Sequence, residues 1–163
     1  MEKKLMKANK PVRIQDIVGG MDLMSDEVTS YLDIRTNKIG MISDDELYAA
    51  EENTPLENFP DWQREIIQLA SEIINNEEFF IPLPSKYDIH EYEVMEKFCL
   101  SIEDPDLSES LSGLIVGRGA FRRFKDGIYK LDIADQWYEY REEAFREIAR
   151  KWCEEKGINF VED

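Results

Sequence analysis

A chain of 163 residues, 42% hydrophobic and 11% aromatic, can bury roughly 70% of its unfolded surface, which excludes a wholly disordered polymer. Its 36 acidic and 20 basic side chains leave a formal net charge of -16, a field that repels nucleic acid over most of a surface and favours a basic partner. No apolar run approaches the roughly 18 residues of a membrane span, and the lysine-rich start lacks the apolar segment of a signal peptide, so a cytoplasmic protein without membrane association is expected.

The charge is unevenly spread. Residues 1–14 carry a net +4, residues 15–110 a net -19 and residues 111–163 a net -1. Within the last block, residues 111–130 hold five basic side chains and one acidic one. An acidic body with a local basic patch follows. Residues 1–13 are expected to form a flexible basic tail and residues 14–163 a single globular domain.

In chain order, a helix is predicted over residues 14–24, weakened by Gly19 and Gly20. Residues 27–34 and 39–42 alternate apolar and polar side chains around the turn-forming Arg35–Lys38, and so form a β-hairpin. Ser43 and Glu46 have the spacing of a capping box ahead of a short helix reaching Ala50. Thr54 and Pro55 give a second helix-start signal. Pro60 and Asp61 open a longer helix with Trp62, Ile66, Leu69, Ala70, Ile73 and Ile74 on its buried stripe.

Phe79–Pro84 is a short apolar run ended by prolines, suited to a third strand on the hairpin's edge. Asp88 and Glu91 are expected to cap a helix whose core face is Tyr92, Met95, Phe98, Cys99 and Ile102. Asp104 and Pro105 start another, with Leu107, Leu111, Leu114 and Ile115 inward. The longest helical pattern runs from Asp135 through Trp137, Arg141, Ala144, Phe145, Ile148 and Trp152 to Gly157, which suits a left-handed C-terminal position. The fold class is α+β, a predominantly helical domain with a small antiparallel sheet of two or three strands near the N-terminal half. Cys99 and Cys153 have no partner at ligand spacing and are expected as free, buried thiols.

The unusual stretch is Gly117-Arg-Gly-Ala-Phe-Arg-Arg-Phe-Lys-Asp126. Read as a helix, it places Phe121, Phe124 and Ile128 on a buried face. Arg118, Arg122, Lys125 and Tyr129 fall on an adjacent stripe, and Arg123 points elsewhere. Arg118, Arg122 and Lys125, with Gly117 and Gly119 relaxing the backbone, form a candidate anion-binding or ligand-binding site. The competing reading pairs the arginines with the chain's own carboxylates while the phenylalanines anchor the core.

The Tyr31–Asp33 hairpin, the Ile81–Pro84 and Tyr92–Phe98 stretches and above all the decamer Gly117–Asp126 resemble an uncharacterised bacterial protein family, number one hundred and fifty-eight. The resemblance covers roughly residues 14–157. It implies a shared fold, and no activity or catalytic residue comes with it.

No catalytic, cofactor or metal motif stands out. His90 is the lone histidine and has no nucleophile at recognisable spacing. The acidic pairs lie at helix ends, where negative charge is favourable on ordinary dipole grounds, and lack the spacing of a calcium loop. No Gly-Lys-Ser/Thr follows Gly119, so this is not a phosphate loop. No catalytic residue, metal or cofactor is assigned. The leading expectation is a non-catalytic acidic protein acting on a basic protein partner. The alternatives are a phosphate-ligand or RNA-binding protein using residues 117–130, although overall charge disfavours nucleic acid, and a hydrolase of unknown substrate. Oligomeric state is not legible.

Overall fold

In the computed structural model, which describes residues 10–162, strand β1 (Val12–Arg13) runs straight into helix α1 (Ile14–Asp22). The expected tail boundary therefore moves. Residues 12 and 13 pair in parallel with β5 (Phe160–Val161), and this pairing buries Val12. Residues 1–9 of the tail lie outside the described residues. By contacts, two units emerge, one made of residues up to Asp88 with those from Ala149 onward, the other of Ile89–Ile148. Among the described residues no helix is long and apolar enough to cross a membrane.

In the first unit, β2 (Val28–Asp33) and β3 (Lys38–Ser43) form the expected hairpin, in register from Val28 opposite Ser43 to Asp33 opposite Lys38. Alternation sends Ser30 and Leu32 inward. The buried Ser30 hydroxyl donates to the Gly20 carbonyl at 2.8 Å, so no polar atom is stranded there. Strand β4 (Phe80–Pro82) adds antiparallel to the other side of β2, giving the order β3-β2-β4 with its proline on an edge strand. At the turn, Arg35 holds both Asp33 carboxylate oxygens at 3.0 Å and lies 4.5 Å from the Phe79 ring centroid.

Ser43 and Glu46 complete the reciprocal cap of α2 (Asp44–Glu51). Residues 56–58 form a single 3₁₀ turn where the Thr54-Pro55 signal promised a helix. The long helix α3 (Asp61–Asn75) buries Ile67, Ala70 and Ile73, and the last two join Ile42, Ala50 and Phe80 in one cluster. Trp62 is 71% exposed. It was expected on the buried stripe, but it stands in the first turn of α3, ahead of the buried Ile67, Ala70 and Ile73. Asp88 also departs from expectation: it accepts from the Ser85 amide and hydroxyl, closing the short helix α4 (Lys86–Ile89) and not capping the helix that follows.

The second unit begins with α5 (Glu91–Ser101), preceded by His90 in a left-handed conformation with φ 52°. Next come α6 (Pro105–Leu114), α7 (Ala120–Lys130) and α8 (Ala134–Lys156), the last continuing into the first unit. Asp104 accepts from the amides of Asp106 and Leu107, with Pro105 at the first helical position, as the sequence predicts. Phe98, Phe124 and Trp137 meet edge to face at the centre of this core, with centroids 4.8 to 6.1 Å apart. Around them lie Met95, Cys99, Leu111, Ile115 and Ile128. A Cβ on Gly127 would stand 2.5 Å from a Leu114 methyl, so α6 and α7 approach closely there. Farther along α8, Arg141 reaches Glu91 at 2.8 Å and covers the Phe145 ring at 4.1 Å. Gly157, at φ 67°, follows the end of α8 as expected.

Cys99 and Cys153 are free and buried. Burial, helped by the Glu154 charge, pushes the Cys153 thiol from an ordinary 9.0 up to about 11. A raised thiol pKa means that above pH 9 the unfolded chain loses this proton first. Folding stability contributed at Cys153 is therefore complete below pH 9 and is lost as pH rises towards 11. Denaturant melts across that window should show the Cys153→Ala variant losing less stability with pH than the parent chain. The second expectation concerns α7: Phe124→Ala should cost about 3 to 5 kcal/mol in a urea melt. Phe121→Ala should cost below about 0.5 kcal/mol, in keeping with its surface position.

Candidate functional site

In the second unit the decamer begins as a loop with two left-handed glycines and continues into α7. After α6 ends, Gly117 takes φ 79° and Gly119 φ 76°, left-handed values that a side chain would strain. Gly119 is the residue before α7, and no side chain caps the helix start. Gly119 also has a packing role, because a Cβ there would sit 3.1 Å from Arg123 Nη1.

Arg123 points away from the stripe, as its helical spacing predicts, and into the junction with α6. Its guanidinium donates from Nε to the Leu114 carbonyl at 2.8 Å, from Nη2 to Val116 at 2.6 Å, and from Nη1 to Arg118. Carbonyls near the end of α6 lack helical partners, and a planar fork with several donors satisfies three of them from one side chain. The motif's central arginine is thus structural.

The inward face of α7 consists of Ala120, Phe124, Gly127 and Ile128. Phe121 is not on it. Expected in the core, Phe121 is 52% exposed and meets the Tyr92 ring edge-on at 6.4 Å. Phe121 lies on nearly the same side of the helix as the buried Ile128, seven residues on, but it stands in the first turn of α7 and is exposed there. Tyr92 is itself partly exposed and anchored by its hydroxyl, which donates to the Ile115 carbonyl at 2.8 Å.

Arg122, Lys125 and Tyr129 remain on the outer side, within about 60° of one another at 3.6 residues per turn. Arg118 lies in the loop between the two glycines, ahead of the helix and not on its stripe. Arg118, Arg122 and Lys125 are all exposed, and none makes an ion pair or side-chain hydrogen bond among the described residues. Among the described residues, these side chains do not pair with the chain's own carboxylates. At the far end of the face, the Tyr129 and Tyr138 hydroxyls are 3.1 Å apart. That hydrogen bond is the main influence raising the Tyr129 pKa, while the nearby Lys125 charge pulls it down.

Two clefts, of about 360 and 350 Å³, lie in the first unit. One is lined by Lys10, Arg13, Asp16 and Arg35, the other by Tyr31, Asp33, Leu69 and Phe80. His90 is exposed at the start of α5. Among the described residues, no three His, Cys, Asp or Glu side chains gather as metal ligands.

Residues 10–163 match the model of an uncharacterised protein family, UPF0158. The match extends a few residues beyond both ends of the stretch that the sequence motifs cover. A relative, UPF0158 protein PA5073 of Pseudomonas aeruginosa, is 29% identical over 66 residues. That alignment takes in 40% of this chain and 43% of the relative, so less than half of either protein is compared. No solved structure matches the chain. With its family model spanning nearly the whole sequence, the chain belongs to the uncharacterised protein family UPF0158.

Proposed function

We propose that this chain is a non-catalytic binding protein that takes a phosphate-bearing ligand at the outward side of α7. The observation that carries the reading is the exposure of Arg118, Arg122 and Lys125 without a carboxylate partner among the described residues. Unpaired guanidinium and ammonium groups are open to an anion, and guanidinium forks favour phosphate geometry. The uncapped start of α7 adds free amides and the positive end of its dipole close to Arg118 and Arg122. Arg123 supports the site from behind by holding the loop that presents Arg118.

A basic protein partner on the acidic surface is the second reading, favoured by a different observation. Tyr48 on α2 and Trp62 on α3 are 64% and 71% exposed. The same two helices carry exposed Asp44, Asp45, Glu51, Asp61, Glu65 and Glu72. Carboxylates with open aromatic faces suit lysine and arginine, through charge and cation–π attraction.

Replacing Arg118, Arg122 and Lys125 together by alanine should abolish binding of pyrophosphate in calorimetry while the helical circular-dichroism signal stays intact. Arg123→Ala should instead lower stability by about 1 to 3 kcal/mol, since three carbonyls lose a charged donor. Binding lost only in step with unfolding would assign the whole segment to structure. For the second reading, a short polylysine peptide should change Trp62 emission at low salt, and Trp62→Ala should weaken its binding several-fold. Unchanged affinity in that variant would remove the second reading.

A further inference from the structure

The outer side of α7 carries more than cations, and its aromatic groups narrow the ligand. Phe121 stands at one end, 52% exposed and steadied by Tyr92. Tyr129 stands at the other, 62% exposed and tied to Tyr138, itself 42% exposed. Arg122 and Lys125 lie between them in sequence, and Arg118 precedes Phe121. Resting on the anion reading above, we infer that this face binds a short single-stranded nucleic acid, with bases stacked on Phe121 and on Tyr129 and phosphates held by Arg118, Arg122 and Lys125.

The chemistry of each component supports this class. A free phosphate would use the cations and leave the aromatic groups idle. A nucleic-acid strand uses both, because base–aromatic stacking and backbone charge act together on single strands and stacking tolerates any base. Duplex bases keep their faces covered by neighbours, so an aromatic side chain reaches them only when they are unstacked. Eight residues of α-helix separate Phe121 from Tyr129, a rise of about 12 Å. That distance is several times the 3.4 Å repeat of a stacked strand. Bases on the two platforms are therefore not stacked neighbours, and the backbone joining them passes over Arg122 and Lys125. Asp126 on the margin of α7, and Asp135, whose charge acts on Tyr129, oppose the phosphates at the edges. They confine the contact to a short strand.

The test is fluorescence anisotropy with the full chain and labelled oligouridylate and oligothymidylate of about ten nucleotides, since one folded module covers about 4 to 16. Binding of at least one strand at low salt is expected, with a log–log salt slope near -2 for about three phosphate contacts. A duplex of equal length should bind at least tenfold more weakly. Phe121→Leu and Tyr129→Leu, both surface changes that leave circular dichroism unaltered, should each weaken strand binding about tenfold without altering affinity for pyrophosphate or inorganic polyphosphate. If polyphosphate binds and the leucine variants hold single strands as tightly as the parent, the nucleic-acid inference falls and the anion reading stands. If neither strand nor polyphosphate binds, both fall.

Discussion

The second unit depends on where one guanidinium goes. Arg123 gathers the carbonyls of Leu114, Val116 and Arg118, which joins the end of α6 to the loop and the loop to the first turn of α7. Fixing that junction fixes the rotation of α7 about its axis. Phe124 and Ile128 then meet the core while Arg122, Lys125 and Tyr129 meet solvent. Left-handed glycines on both sides of Arg118 let the loop turn tightly enough for the guanidinium to reach all three acceptors. Gly119 is also met by a side chain from the same protein, Arg123, whereas Gly117 serves through its left-handed backbone alone.

Local signals in the chain were legible where one residue's chemistry decided the outcome. Ser43 with Glu46, and Asp104 with Pro105, begin helices because each provides acceptors for amides that have no helical partner. The hairpin was legible because alternation has only one register that buries Leu32. What remained hidden was decided between elements. Apolar periodicity marks Phe121 and Trp62 as inward, yet each stands in the first turn of its helix and is exposed there. The β1–β5 pair was hidden for a different reason: two-residue strands carry no periodicity, and their partners stand almost a whole chain apart.

The same distinction governs the candidate site. Its cations were identifiable in sequence, since a basic cluster in an acidic chain is a compositional fact. Which of them were available was not, because Arg123 and Arg122 are adjacent and chemically identical. One is consumed by backbone carbonyls and the other is exposed. The aromatic half of the surface was obscured by the opposite error, since hydrophobicity alone assigns Phe121 to the core. Its contact with Tyr92 depends on α5 and α7 packing, which no pattern within α7 records.

A net charge of -16 would oppose any anionic ligand if the protein acted as a single point. It does not. At physiological ionic strength, exposed charges separated by more than about 8 Å are largely screened from one another. What a phosphate on α7 experiences is therefore set by Arg118, Arg122, Lys125 and the nearest carboxylates, while the remainder of the acidic surface acts mainly on long-range approach. The two readings of this chain consequently do not compete for the same surface. Carboxylates and open aromatic side chains on α2 and α3 meet the requirements of a basic partner, and cations with open aromatic side chains on α7 meet those of a nucleic-acid strand. Lowering salt strengthens both local attractions, but it also extends the repulsion between an acidic body and an incoming strand. Association rate and bound-state affinity at α7 should thus respond differently to salt, a separation that a uniformly basic nucleic-acid-binding protein does not impose.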